Sequence, residues 1–464
     1  MRERRDGAED GMLDARVVPG AVHRIDVASR DDSGRGIATL AGRELRIPNA
    51  LAGERLDVRL SHVGRRIAIG RIVTVVRPAA ERVPDECPHG AVCPGCGLRT
   101  SSAASRRALK RSRLVRALVA QGLPADLVAE TVPAPVEDGW RHKAFLTPRH
   151  TRRGILLGLF EEHSHRLLPI PGCPAHAPPV EAALLAVRQA LARVDSSIYD
   201  ERKHAGWLRH VSVRASSATG DAVVVLVMTE RQYAPERALV EEILRVARNV
   251  VGVVANVHPE RGNAPYGPEF VSISGTDALE EASGPFSLKV SAGSFFQVNP
   301  AVAAVMQDRI GEAAATAPAG MALDLYGGVG VASVRLAASG RPVVLVEASA
   351  ASATDAEANV KRHAPGRVEV TRARVEDALE GLLTRAPSVV VANPPRGGLA
   401  EKARNALRAA APSLLLYVSC DPLSLARDAA AFQDSALALE SVTPFDLMPQ
   451  TPHVEALAVW RRRA

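Results

Sequence analysis

Apolar and polar positions follow two different rhythms along the chain, and the change of rhythm divides it. From Ala21 to Arg77 the segments AVHRIDVAS, GIATL, RELRIP, ERLDVRLS and RRIAIGRIVTVV alternate with a period of two, separated by glycine-bearing turns such as SGRG and LAGE. Alternation at this spacing predicts five short strands, and residues 17–80 are expected to close into a small OB-like β-barrel, a pattern several small barrels share. Residues 81–288 mix strands such as HVSVRAS and AVVVLVMT with a helix over 235–248, which predicts a central α+β domain. Over 289–464 continuous apolar runs (MALDLYGG, PVVLVEAS, RVEVTRA, SVVVANPP, LLLYVSC, ALAVW) alternate with Ala-rich stretches. That alternation predicts a Rossmann-like, mostly parallel α/β sheet. Residues 1–16 carry alternating charges with no apolar run and read as a disordered tail.

Composition narrows the class without naming a function. The 464 residues exceed one hydrophobic core, and 47% apolar content is that of an ordinary globular protein. A net charge of +7 fits an acidic polymer as partner, although many basic proteins bind none. Six of the 58 basic residues are Lys, so the abundance of Arg reflects composition, and clustering carries more information. Six of the eleven residues from Arg106 to Arg116 are basic, and Arg141 to Arg153 adds a second group; each reads equally as a solvated face or as an RNA track. With only 8 Phe, 5 Tyr and 3 Trp, any single-stranded RNA platform would rest on Arg, phosphate contacts and a few rings. No stretch approaches the roughly 18 apolar residues that span a bilayer, so a cytoplasmic location without membrane contact is expected. Nothing calls for an obligate protein partner. Five cysteines in a reducing compartment argue for metal or catalytic roles over disulfides.

Two segments carry candidate chemistry. ALDLYGGVG places a strand, a turn with Gly327, Gly328 and Gly330, and a helix, while Glu347 ends the next strand, where a carboxylate can accept from ribose hydroxyls. The same layout would suit a nicotinamide or a methyl-donor nucleoside, and the absence of GKS or GKT speaks against a phosphate-cradling loop. In LLLYVSCDPLSLARD, Asp421-Pro422 opens a helix after an apolar strand, so Cys420 sits at a strand's carboxyl edge where a helix terminus favours a thiolate. A lone Cys is otherwise a small buried hydrophobe. Thiolate addition to C6 of uracil would make C5 nucleophilic, and the proton left on C5 would need a base, for which Glu455 in PFDLMPQTPHVEALAVW is the candidate. The remaining cysteines, Cys87, Cys93, Cys96 and the distant Cys173, have metal-site spacing, with His89 and His176 as possible substitutes.

Five motifs in order, SFFQVNP at 294–300, DLYGGVG at 324–330, NPPRGG at 393–398, YVSCDP at 417–422 and PQTPHVE at 449–455, resemble the class I 5-methyluridine RNA methyltransferases. The similarity runs over about 21–464. It implies S-adenosylmethionine as cofactor, Cys420 as nucleophile, Glu455 as base, and Gln297, Tyr326, Glu347 and Asn393 around cofactor and uracil. The barrel looks like a TRAM domain, and the ribosomal branch implies a [4Fe-4S] cluster on the four cysteines, with zinc as runner-up. RNA is the implied partner, ribosomal (23S) ahead of transfer RNA. The alternative from another class is a non-catalytic RNA-binding iron–sulfur protein. Where the family carries DLYCG, DPPR and SCNP, this chain has Gly327, Asn393 and Asp421, so a carboxylate and an amide stand exchanged between neighbouring strand ends.

Overall fold

The computed structural model describes residues 16–463 apart from 91, 153, 162–165, 232 and 263. Met1–Leu109 with Gln450–Pro452 form one compact unit, and Lys110–Pro449 with His453–Ala464 a second. The tail read over 1–16 lies outside the described residues except for Arg16, whose carbonyl is 3.2 Å from His23 Nε2.

In the first unit the alternating segments form a six-stranded sheet ordered Val22–Asp26, Arg55–Val63, Ile67–Arg77, Arg43–Ile47, Gly36–Leu40, Ser29–Arg30. Its inward positions, among them Leu45, Ile47, Leu56, Val58 and Leu60, are buried, as a period of two requires. The two long strands pair through three register shifts. At Gly70 a Cβ would fall 2.2 Å from Val58 Cγ1, so only glycine lets the strands approach this closely.

The second unit holds two larger sheets. The first is ordered Glu269–Gly275, Val250–Val257, Ala222–Met228, Leu208–Ala215, Lys143–Thr151, Gly154–Phe160, Leu167–Pro169. Its one parallel pair, Ala222–Met228 with Val250–Val257, is bridged by the helix Glu236–Val246, within the 235–248 expected from the sequence. The run AVVVLVM is buried at every position, which explains its lack of alternation.

The second sheet is ordered Val368–Arg372, Val343–Glu347, Ala322–Leu325, Val389–Ala392, Leu414–Ser419, Glu455–Arg462, Leu437–Phe445. The first five strands are parallel, with helices between them, and Glu455–Arg462 runs antiparallel to both neighbours. Strand order reverses between Ala322–Leu325 and Val389–Ala392, which opens a crevice at their carboxyl ends. The strand Leu437–Phe445 was not among the expected elements. It is an edge strand with a register shift between Leu439 and Ser441 and several half-exposed positions, so it shows neither a clean alternation nor an apolar run.

Trp460 is buried between Tyr417 and Phe432, with ring centroids 6.0 and 5.7 Å away in edge contacts. Trp460→Ala should lower stability by about 3–5 kcal/mol in denaturant unfolding, and an unchanged midpoint would show that this layer does not hold the antiparallel strand.

Candidate active site

The crevice begins at the glycine turn. Tyr326, Gly328 and Gly330 all take positive φ (58°, 57° and 88°), turning the chain sharply from the strand Ala322–Leu325 into the helix Val331–Ala338. A Cβ on Gly327 would sit 2.5 Å from Leu345 Cγ, so the Leu345 side chain in the next strand leaves room there only for glycine. Asp324 is buried beneath the turn and accepts from the Ser333 hydroxyl at 2.6 Å; burial raises its pKa to about 6.

The helix Ala350–His363 holds two pieces of the crevice wall through buried polar side chains. Asp355 accepts from Ser291 N (2.7 Å) and from the hydroxyls of Ser291 and Ser294 (both 2.6 Å). Asn359 accepts from Lys289 N and donates to Lys289 O and Val329 O. The segment leading into SFFQVNP and the glycine turn are thereby tied to one rigid element.

The crevice is bounded by the glycine turn, the SFFQVNP segment and the carboxyl ends of the strands Val389–Ala392 and Leu414–Ser419. Gln297, Tyr326 and Asn393 line it, together with Asp324, Phe295, Ser283 and Gln307, which sequence reasoning did not select. Asp324 had a usable signal, a carboxylate at the end of an apolar strand before the glycines. Glu347 stands behind the turn instead: its carboxylate accepts from Gly328 N (3.0 Å) and Ser349 N (2.6 Å), bracing the loop from the next strand. Tyr326 donates to Glu376 at 3.1 Å, and burial beside that carboxylate holds its phenol above the ordinary range.

Cys420 and Glu455 come together through strand register. Ser419 pairs with Ala456 in the antiparallel ladder, and the next residue, Cys420, lies close enough to Glu455 to feel its charge. Glu455 is buried, which lifts its pKa to about 7. Asp421 caps the helix Pro422–Ala431 by accepting from Ser424 N at 2.9 Å, so its carboxylate serves the helix. The expected thiolate-favouring environment is only part of the balance: burial first and Glu455 second raise the Cys420 thiol, while Arg396 pulls it down. Arg396 lies in the loop after Val389–Ala392, whose far end is anchored where Leu399 N (2.8 Å) and Tyr417 Oη (2.7 Å) both donate to the buried Asp428.

Within the first unit, Leu98 N donates to Gln450 O at 2.9 Å and Arg99 donates to Gln450 Oε1 at 2.7 Å. The segment that follows Cys87, Cys93 and Cys96 thus grips the PQTPHVE stretch five residues before Glu455. These three cysteines belong to the first unit and Cys173 to the second, and all are half-buried. Among the described residues no three His, Cys, Asp or Glu side chains gather as a metal site. Gly95 N nevertheless donates to Cys93 Sγ at 3.5 Å, and burial with Cys87 nearby raises the Cys93 thiol. Crowded thiols receiving amide donors suit a thiolate-bound metal, which would relieve that strain on ionisation.

The profile of the tRNA (Uracil-5-)-methyltransferase family matches residues 276–463. An uncharacterized RNA methyltransferase from Geobacter sulfurreducens is 31% identical over 444 residues, 95% of this chain and 90% of the relative. Another from Gloeobacter violaceus is 30% identical over 459 residues, 97% and 100%. The chain belongs to this family of RNA methyltransferases. The fold is also that of the Pyrococcus abyssi tRNA (uracil-54, C5)-methyltransferase, solved with S-adenosyl-L-homocysteine: TM-score 0.75, 24% identity, covering 94% of this chain and 100% of that one. Among the described residues no helix is long and apolar enough to cross a membrane.

The buried carboxyl has a consequence for stability. Its folded pKa, about 7, lies above the 4.5 ordinary for a glutamate, so between those values the unfolded chain releases this proton while the folded one retains it. Its contribution to stability is therefore fully present below about pH 4.5 and is lost as pH rises toward 7. Glu455→Gln should be more stable than the parent at pH 8, by up to about 3 kcal/mol, and gain little at pH 4.5. Equal urea midpoints of parent and variant at both pH values would sink this reading.

Proposed function

We propose that the protein transfers a methyl group from S-adenosylmethionine to C5 of a specific uridine in RNA, through a covalent adduct between Cys420 and C6. The observation that carries this reading is the proximity of Cys420 to a buried carboxyl whose pKa lies near neutrality, beside a crevice lined by the glycine turn and Gln297. A base with a pKa near the working pH combines availability with driving force. In this reading residues 17–80 form a TRAM-like barrel, 81–288 a central domain and 289–464 the methyltransferase domain.

When bound, S-adenosylmethionine would supply an electrophilic methyl group, its sulfonium sulfur keeping the electron pair of the broken C–S bond and leaving as a neutral thioether. Gln297, Tyr326 and Asn393 hold cofactor and uracil in the crevice, while Glu347 keeps the glycine turn in place for the cofactor. The Cys420 thiol gives its proton to solvent, aided by the charge of Arg396. Its thiolate adds to C6, and the electron pair of the C5–C6 double bond moves into the ring as an enolate whose C5 is nucleophilic. Once C5 carries the methyl group, ionised Glu455 takes the remaining C5 proton. The electrons of that C–H bond restore the double bond and expel the Cys420 thiolate.

The resemblance to the ribosomal branch supports ribosomal RNA, 23S, as substrate, and Cys87, Cys93, Cys96 and Cys173 as holders of a [4Fe-4S] cluster, with zinc as runner-up. The cluster's role is structural, because methyl transfer moves no electrons. The names of the matching family and of the Pyrococcus enzyme favour transfer RNA as the second reading. A non-catalytic RNA-binding protein would have no need of Cys420 near Glu455.

Labelled methyl from S-adenosylmethionine should appear as 5-methyluridine in unmodified ribosomal RNA, read by mass spectrometry. Transfer to transfer RNA alone would decide for the second reading, and transfer to neither would overturn the activity. Cys420→Ala should abolish transfer, and Glu455→Gln should accumulate a covalent RNA adduct on a denaturing gel; absence of the adduct would remove Glu455 as base. Anaerobically purified protein should contain iron and sulfide. Zinc in their place would select the runner-up, and Cys93→Ser should release either metal.

A further inference from the structure

Outside the crevice, the Lys143–Thr151 strand presents an unusual row. Ala144, Leu146 and Pro148 are buried while Lys143, Phe145, Thr147 and Arg149 are half-exposed, so one face of this strand mixes cations with an aromatic ring. Across the antiparallel ladder Lys143 pairs with Arg214 and Phe145 with Ser212, which puts those side chains on the same face. Tyr266 completes it. Its hydroxyl donates to Ser212 Oγ at 2.8 Å, its ring meets Phe145 edge-on at 5.4 Å, and Lys143 Nζ lies 5.1 Å from its centre. Phe270 and His210 extend the row, 5.4 Å from Tyr266 and 4.8 Å from Phe145. A chain with so few aromatic residues has concentrated three of them here.

The row adjoins the crevice wall. Arg214, itself buried, donates to Ser294 O at 3.0 Å, and His142 N donates to Val298 O at 2.8 Å, bracketing the segment that carries Gln297. A Cβ on Gly293 would lie 3.1 Å from the Phe270 ring. Arg214 Nε has no hydrogen-bond partner among the described residues, while Glu281 and Asp355 lie near enough to favour its charge. Burial, then Arg214 and Arg141, lower the Lys143 ammonium to about 7. Lys143, desolvated and beside other cations, fits an anion supplied from outside the chain.

We propose that this face is the docking surface for single-stranded RNA flanking the target uridine, with a base stacked at Phe145 and Tyr266 and a backbone phosphate on Lys143. The inference rests on the RNA-methylating reading above and adds where the flanking strand lies. Interleaved rings and cations are the chemistry of single-strand binding: bases stack on the rings whatever their sequence, and the cations follow the backbone. A duplex, its bases already stacked, offers this row only its phosphates.

The test measures binding of the full-length protein to a labelled uridine dodecamer over a series of salt concentrations, with a duplex of equal length as comparison. Wild type should prefer the single strand. Lys143→Met should weaken binding and reduce the slope of log affinity against log salt by about 0.7, the loss of one single-strand phosphate contact, whereas Lys143→Arg keeps the slope. Tyr266→Leu should weaken binding roughly 5- to 150-fold with the slope unchanged. Circular dichroism checks folding, and if Tyr266→Leu unfolds, the milder Phe145→Leu decides in its place. Preference for the duplex, a wild-type slope in Lys143→Met, or wild-type affinity in the folded ring variant would each overturn the surface. Wild type that binds the dodecamer in this pattern but methylates no RNA would remove the activity while leaving the surface. Methylation by wild type together with unchanged binding by the variants would do the reverse.

Discussion

A carboxyl group kept from water must surrender its charge or find a compensating one. Glu455 is in that position at the start of an antiparallel strand, and its affinity for a proton follows from its burial. The Cys420 thiol feels the same carboxyl, because the ladder that places Ala456 beside Ser419 brings Cys420 near Glu455. One register therefore sets the distance and the electrostatics of the pair. A slip of one residue would turn Glu455 to the opposite face of the sheet and undo both.

The surroundings read as a set of braces on that pair and on the crevice beside it. Asp428 holds the loop that bears Arg396, Asp355 and Asn359 hold the wall and the glycine turn, and Glu347 supports the turn from the next strand. Each is a buried or half-buried side chain whose polar atoms meet backbone groups or hydroxyls, an arrangement that fixes geometry where apolar packing alone would tolerate small shifts. Lys110 contributes in the same manner, fully buried and paired with Asp446, with Nζ donating to Met448 O just ahead of PQTPHVE.

Contiguity explains what was legible in the sequence. The glycine turn, the strand ending at Ser419 and the Asp421-Pro422 cap are written in adjacent residues, and the structure places them as their local chemistry demands. Gln297, Tyr326 and Asn393 reach the crevice from three such motifs. Features built from distant residues were hidden. Asp355 and Asn359 sit in an Ala-rich helix that gives no sign of its clamping contacts. The edge strand Leu437–Phe445 follows no simple period, and Arg99 meets Gln450 across 351 positions. Glu347 shows a different limit: its position at a strand end was readable, while its engagement with Gly328 depends on how tightly the turn curls.

The order of the last strands bears on when the protein becomes competent. Glu455–Arg462 lies between Leu414–Ser419 and Leu437–Phe445, two strands that precede it in the chain. A ribosome making this polypeptide exposes Cys420 well before the partner that completes the ladder. Until that strand inserts, the edge beside Cys420 is open to water and lacks Glu455. A partly synthesised chain is thus without the Cys420–Glu455 pair, and the insertion of one strand between two already made completes it.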